Sequence, residues 1–84
     1  MNEIKNRYDV YAVVAALVKE LGLVEQVSSS VPLREQGFDS IDAVDMAMRL
    51  ETRLGIENMV LSDRECPADV ADNAWRILRG NFAH

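Results

Sequence analysis

The side chains in this sequence that could do chemistry are few, and most of them lack a chemical partner. The only histidine is His84, the only cysteine is Cys66, and no glycine-rich phosphate loop precedes a helical segment. A hydroxyl or thiol nucleophile needs a neighbouring base or another activating group. One cysteine cannot form an internal disulfide, and one cysteine with one distant histidine cannot build a zinc site. The sequence therefore predicts a protein that is not an enzyme.

One serine stands at a position that is open to two interpretations. Ser40 follows Asp39, which is a good helix N-cap, at the start of an apolar helical pattern. Asp42 adds negative charge to the first turn, where the helix dipole favours it. An Asp-Ser pair before an apolar run is usually only a helix cap, so these residues alone do not define a functional site.

Hydrophobic spacing predicts helices that position this serine in an all-α bundle. The first predicted helix covers residues 3–21, and Gly22 is expected to end it in the left-handed conformation. A long connection over residues 23–39 needs buried anchors of its own. Leu33 and Phe38 are the expected anchors, and Gly37 is expected to form the turn before the second helix. The apolar side of the first helix is predicted to comprise Ile4, Tyr8, Tyr11, Val14, Leu17, Val18 and Leu21.

The second half of the chain is predicted to contain two more principal helices and one short helix. The second principal helix covers residues 39–54 and ends at Gly55. Residues 62–65 have the spacing of a capping box and predict a single helical turn, because Pro67 limits it. Pro67 then suits the first position of a last helix over residues 67–79. The buried side of that helix is predicted to comprise Val70, Ala74, Ile77 and Leu78.

The second helix carries two apolar faces, although a bundle needs only one. On a wheel of about 100° per residue, the core-facing stripe consists of Ala43, Met46, Ala47, Leu50 and Leu54. Ile41, Val44 and Met48 form a separate apolar strip beside Ser40. Either another helix covers this strip, or the strip is a docking surface on which methionine can adapt to several partners.

Charge and hydropathy exclude several classes of protein. The net charge is −5, and residues 39–65, with seven acids and three bases, account for −4 of it. Phosphate backbones need a basic surface, so nucleic acid is not an expected partner, whereas a basic protein surface is. The longest apolar stretch, over residues 10–18, is shorter than the ~20 residues of a membrane span, and the N-terminus lacks a signal-peptide pattern. We expect one cytoplasmic, monomeric domain over residues 1–84.

A longer motif around Ser40 resembles the acyl carrier protein family. The segment Leu33-Arg34-Glu35-Gln36-Gly37-Phe38-Asp39-Ser40-Ile41-Asp42 is followed by Leu50-Glu51 and by Leu54-Gly55-Ile56-Glu57. In that family a Gly-x-Asp-Ser-Leu/Ile motif opens the second helix. The resemblance is strongest over residues 33–57 and implies an acyl-carrier-like bundle of three principal helices and one short helix.

The resemblance also implies roles for individual residues. Ser40 would take 4'-phosphopantetheine covalently from coenzyme A, and Asp39 would be the acid that precedes it. The partners would be a phosphopantetheinyl transferase and acyl-loading, synthase or transferase enzymes with basic docking patches. The residues expected to contact them are Ile41, Asp42, Val44, Asp45, Met48 and Glu51.

The sequence departs from the family pattern where basic residues enter the second helix. Arg49 and Arg53 lie on a helix that is usually more uniformly acidic, which suggests specialised partners.

Three functions remain open for this sequence. The first is an acyl carrier for fatty-acid, polyketide or related specialised biosynthesis. The second is an aminoacyl or peptidyl carrier, for which a Gly-Gly-x-Ser context is more usual than Phe38-Asp39. The third is a helical adaptor without a covalent arm.

Overall fold

Three α-helices form most of the computed structural model, which describes residues 4–22 and 26–82. They are α1 (Arg7–Leu21), α2 (Ser40–Leu54) and α3 (Pro67–Phe82), and a short 3-10 helix spans Leu33–Gln36. No strand occurs in these two stretches. The predicted all-α fold class is confirmed. No helix within the described stretches has the length and apolar character needed to cross a membrane.

Helix α1 begins later than predicted, because a polar cap precedes it. The side chain of Asn6 accepts hydrogen bonds from the backbone N–H groups of Tyr8 (2.9 Å) and Asp9 (3.1 Å). Asp9 Oδ2 accepts the N–H of Asn6 in return at 3.2 Å, which completes a capping box. The predicted start at residue 3 lies outside the described residues, and residues 4–6 are not helical.

The buried face of α1 also differs in part from the prediction. Val10 is fully buried, although it was not predicted, and Tyr8 is 72% exposed. The buried set is Val10, Val14, Leu17 and Val18, which has the spacing of a single helical face.

Gly22 ends α1 for a reason that differs from the predicted one. Its φ of −97° and ψ of 170° are extended, so the predicted left-handed conformation is wrong. A Cβ atom at this position would lie 2.8 Å from the carbonyl oxygen of Val18 and 3.1 Å from Cε1 of Phe38. Glycine is therefore needed because the backbone and the Phe38 ring approach closely.

The connection before α2 is anchored as predicted. Leu33 and Phe38 are buried, and Gly37 takes a left-handed φ of 100°. Gln36 is also buried, and its side-chain amide bonds the backbone N–H and carbonyl of Ser28 and the carbonyl of Val31. These three hydrogen bonds satisfy the buried amide and fix the fold of the loop.

The predicted short helix at residues 62–65 is wrong in its position. These residues form a hydrogen-bonded turn, in which Glu65 Oε2 accepts the N–H of Ser62 at 2.8 Å and Ser62 Oγ accepts the N–H of Arg64 at 3.2 Å. The short helical element is instead the 3-10 helix at Leu33–Gln36. Capping-box spacing was present at residues 62–65, but Pro67 follows too closely for a helix to form.

The start of α3 joins the loop before α2 through backbone hydrogen bonds. The N–H of Leu33 donates to the carbonyl of Glu65 at 2.9 Å, and the N–H of Arg34 donates to that of Asp63 at 2.8 Å. The N–H of Ala68 donates to the carbonyl of Ser29 at 3.0 Å. Helix α3 begins at Pro67 as predicted.

Helix α3 extends to Phe82, beyond the predicted end at residue 79, because Gly80 does not interrupt it. On its predicted buried face, Val70, Ala74 and Leu78 are buried and Ile77 is partly buried.

The core-facing stripe of α2 is confirmed, because all five of its predicted members are buried. They are Ala43, Met46, Ala47, Leu50 and Leu54. Helix α1 packs against both α2 and α3. The core is therefore shared by three helices, and α2 keeps one long side for solvent.

Candidate functional site

Ser40 is the first residue of α2, and its side chain is exposed. The turn that carries it is closed by a reciprocal cap. Asp39 Oδ1 accepts the N–H of Asp42 at 2.9 Å, and Asp42 Oδ2 accepts the N–H of Asp39 at 3.0 Å. The carbonyl of Asp39 accepts the N–H of Ala43 at 3.1 Å. The cap holds both carboxylates against the backbone, and the serine hydroxyl has no hydrogen-bond partner within the described residues.

Two backbone donors next to the hydroxyl are also free. Within the described residues, the N–H groups of Ser40 and Ile41 have no hydrogen-bond partner. They lie at the positive end of the helix dipole, where an anionic oxygen is stabilised. A phosphodiester on the Ser40 hydroxyl is thus compatible with the local structure: the oxygen is accessible and unpaired donors are adjacent.

Among the described residues, the groups that could activate Ser40 are few and already hydrogen-bonded elsewhere. The only histidine, His84, lies outside the described residues. The nearest carboxylates, Asp39 and Asp42, are engaged in the helix cap. No group of three or more His, Cys, Asp or Glu side chains that could hold a metal ion occurs within residues 4–22 and 26–82. Within the described residues, no side chain is hydrogen-bonded to the Ser40 hydroxyl as a base.

The apolar strip beside Ser40, which we call the α2 strip, consists of Ile41, Val44 and Met48. These side chains are 76%, 59% and 61% exposed, respectively. The interpretation that another helix covers the strip is therefore wrong. An apolar strip that begins at the residue after Ser40 and continues along α2 for two turns has the character of a contact surface.

The predicted acidic contacts are each engaged in one interaction within the protein. Asp42 belongs to the cap described above, and Asp45 accepts a hydrogen bond from Nε of Arg49 at 3.2 Å. Glu51 is half-buried, and its Oε2 accepts the N–H of Met59 at 3.3 Å, which ties α2 to the loop that follows it. Carboxylates accept several hydrogen bonds, so these contacts leave capacity for a partner.

The two arginines of α2 are paired with acids. Arg49 bonds Asp45 one turn earlier, and Nη2 of Arg53 lies 2.9 Å from Oε2 of Glu20 on α1. Both pairs are about half exposed, so each contributes little to stability. Their effect is electrostatic, because each arginine lowers the local negative charge of α2.

The sequence did not predict the exposure of Val60 or the burial of Gln36. Val60, in the loop after α2, is 83% exposed between buried Met59 and Leu61. This exposure was not readable from the sequence, because Met59, Val60 and Leu61 are all apolar and do not alternate with polar residues. The burial of Gln36 had no signal either, because the bonds that satisfy it run to backbone groups five and eight residues away.

The chain matches one protein family. The family model described as the phosphopantetheine attachment site matches residues 12–71, which is more than two thirds of the 84 residues. A search of curated proteins and a search of solved structures gave no significant match. The chain belongs to the phosphopantetheine attachment site family, whose members are carrier domains with a covalent 4'-phosphopantetheine group. The predicted cofactor is confirmed, and an adaptor without a covalent arm is thereby disfavoured.

Proposed function

We propose that this protein is an acyl carrier protein that bears its phosphopantetheine arm on Ser40 and delivers acyl groups to separate enzymes. The observation that carries the proposal is the exposed Ser40 hydroxyl at a capped helix start, directly beside the uncovered α2 strip. The arm supplies a terminal thiol on which an acyl group is held as a thioester.

Ser40 is favoured over the other exposed serines because of its backbone surroundings. Ser28, Ser29 and Ser30 lie in the loop before α2, and none of them begins a helix. The first turn of α3 does reach this loop, but its Ala68 N–H is already donated to the carbonyl of Ser29. The hydroxyl oxygen of Ser62 accepts the N–H of Arg64. Only Ser40 combines an accessible hydroxyl with two unpaired N–H donors at the positive end of an α-helix.

The protein's own residues bind and orient, and they carry out no bond-breaking step. Asp39 and Asp42 fix the first turn of α2, and Phe38 anchors the chain immediately before it. The hydroxyl is therefore presented from a fixed position to a transferase, which is expected to bring the coenzyme A and Mg²⁺. Afterwards the unpaired N–H groups of Ser40 and Ile41 stabilise the negative charge of the phosphodiester.

The α2 strip and the acids along α2 are proposed to make short-lived complexes with partner enzymes. Ile41, Val44 and Met48 provide apolar contact, and Asp42, Asp45 and Glu51 are proposed to be recognised by basic patches. Modest apolar area with charge steering gives fast association and fast release, which transfer between several enzymes requires.

The pathway is proposed to be fatty-acid, polyketide or related specialised biosynthesis in the cytoplasm. Pairing of Arg49 with Asp45 and of Arg53 with Glu20 makes α2 less acidic than the motif alone suggests, which favours specialised partners. An aminoacyl or peptidyl carrier is the second candidate. The Phe38-Asp39 context before Ser40 favours the acyl carrier.

The attachment is tested by intact-mass measurement. Purified protein incubated with coenzyme A, Mg²⁺ and a broad-specificity phosphopantetheinyl transferase should gain one phosphopantetheine. Ser40→Ala should gain none, and Ser62→Ala, a matched control at another exposed serine, should gain one. Modification that persists in Ser40→Ala, or that maps to Ser28, Ser29 or Ser30, would contradict the assignment.

A further inference from the structure

A groove between α1 and α3 carries the opposite charge to α2. It consists of two adjoining recesses of about 510 and 410 Å³, which share Arg7 and Asp72 as lining residues. Arg76 and Arg79 line the larger recess. Three arginines and one aspartate give this groove a formal charge of +2 on a chain whose net charge is −5. The groove is thus a local basic surface on an acidic protein.

The arginines of the groove form no ion pairs within the part of the chain that the structure describes. None of the three guanidinium groups forms an ion pair with residues 4–22 or 26–82, in contrast with Arg49 and Arg53. Arg7 lies over the ring of Tyr8, with its Cζ atom 5.6 Å from the ring centroid. This contact holds the guanidinium in place without neutralising it.

Aromatic side chains are concentrated on the same groove. Tyr8, Tyr11 and Trp75 line it, and these are three of the five aromatic residues in the chain. Tyr8 is largely exposed, whereas Tyr11 and Trp75 are partly buried against the core and therefore fixed. Aromatic residues and arginine together are the composition of protein contact sites that contribute most to binding energy. The groove is also open and shallow, which suits a protein segment better than an enclosed small molecule.

The groove faces away from α2. Its lining residues come from α1, α3 and the loop at Ser29, and none comes from α2. Glu20 bonds Arg53 on α2, and Tyr11 lies nine residues earlier on α1, which is about 180° around the helix. Tyr11 in the groove and Glu20, which pairs with α2, therefore lie on opposite sides of α1, and the groove and the α2 strip share no residue.

We propose that the α1–α3 groove is a second docking surface, and that its occupant is an acidic amphipathic helix of a partner protein. Carboxylates of that helix pair with Arg7, Arg76 and Arg79, and its apolar side chains pack on Tyr8 and Trp75. Charge complementarity selects this occupant, because the enzymes expected on α2 are basic and would be repelled by the groove. The groove thus holds the carrier near one protein while α2 remains free for others.

The test uses the only tryptophan in the chain as a reporter. Trp75 fluorescence is followed during titration with a helical peptide of glutamate and leucine that lacks aromatic residues, and with the same peptide in which every glutamate is glutamine. Wild type and Ser40→Ala should both bind the glutamate peptide, so the result does not depend on the attachment site. Added salt should weaken binding.

Two double variants with the same change in charge separate the groove from general electrostatics. Arg76→Glu with Arg79→Glu should weaken binding by at least about tenfold, or about 1.4 kcal/mol. Arg34→Glu with Arg64→Glu changes two exposed arginines outside the groove and should leave binding unchanged. Tyr8→Ala, at an exposed side chain, should weaken binding without unfolding the protein. Circular dichroism verifies the fold of each variant.

Four results would overturn the proposal. They are a failure of the glutamate peptide to bind, equal binding of the glutamine peptide, and equal weakening by the two double variants. The fourth is displacement of the peptide by millimolar inorganic phosphate, which would indicate an anion site.

Sedimentation of the protein alone tests a second copy as the occupant. If the protein self-associates and the double variant Arg76→Glu with Arg79→Glu abolishes this self-association, the occupant of the groove is another copy of this chain and not a partner protein.

Discussion

The chemistry available at Ser40 is set by groups that are already engaged around it. The two nearest carboxylates accept backbone hydrogen bonds and neither is hydrogen-bonded to the hydroxyl, while the backbone donors beside the hydroxyl are free within the described residues. The hydroxyl is accessible, and no base is hydrogen-bonded to it within the described residues. This arrangement suits a protein in which phosphopantetheine attachment is expected to depend on a dedicated transferase.

Asp39 should stabilise the protein as a cap more than through its charge. Asp39→Ala removes the acceptor of the Asp42 N–H and should lower the free energy of unfolding by about 1 kcal/mol. Asp39→Asn keeps a cap of similar strength and should remain close to wild type. Urea midpoints of the two variants measure the difference. Equal losses in both would show that the carboxylate charge, and not the cap, stabilises α2.

Cys66 should be a structural residue. It is half-buried at the residue before α3, and its carbonyl accepts the N–H of Val70 at 3.1 Å. Cys66→Ser should keep the fold and the ability to be loaded, with a slightly improved helix cap. Thermal unfolding and intact mass after loading measure both properties. A folded variant that cannot be loaded would show that the thiol takes part in the modification.

At the scale of the elements, α2 has two long sides with different burial. Leu50 is fully buried on the core side, and Met48 is 61% exposed on the other. Met59 and Leu61 lie buried in the following loop, so the C-terminal part of α2 is packed while the α2 strip remains uncovered. Stability and partner contact should therefore depend on different residues of the same helix.

The contrast between Leu50→Ala and Met48→Ala tests this division. Leu50→Ala leaves a cavity in the core and should cost about 2–4 kcal/mol of unfolding free energy. Met48→Ala should cost little and instead slow acyl transfer to partner enzymes. The measurements are denaturant midpoints and loading rates on the same two variants. If both unfold equally readily, the α2 strip is part of the core and not a contact surface.

Helix α2 was predictable from the sequence because each of its signals is local. Asp39 caps it, Gly55 ends it in a left-handed conformation, and its buried stripe follows one helical period. Helix α1 was less predictable, since Ile4 and Tyr8 continue an apolar pattern that competes with the cap at Asn6. The pattern alone could not show that the polar cap starts the helix.

At the scale of the whole molecule, charge is divided between two surfaces. The negative charge lies on α2 and its neighbouring loops, and the basic groove is formed by residues of α1 and α3 that are more than sixty positions apart. No local pattern could predict that Arg7 and Arg76 line one groove, because only tertiary packing brings them together. The exposed apolar strip of α2 was predictable in outline from its helical spacing, and the groove was not.

Charge on α2 should govern how fast partners associate. Asp45→Lys reverses a half-exposed charge and also leaves Arg49 without its partner, so association with a basic enzyme should slow. Added salt should reduce the difference from wild type, because it screens exposed charges. Stopped-flow association rates at several salt concentrations measure this effect. A salt-independent difference would indicate a change in fold or in direct contact instead of steering.

The backbone hydrogen bonds between the loop before α2 and the start of α3 have a consequence for motion. The amide hydrogens of Leu33, Arg34 and Ala68 are donated across this junction, so they should exchange with solvent almost as slowly as those inside the helices. The junction that supports the start of α2, and with it Ser40, would then be rigid. An acyl group would travel between enzymes by the swing of its flexible tether, while the protein beneath it stays still.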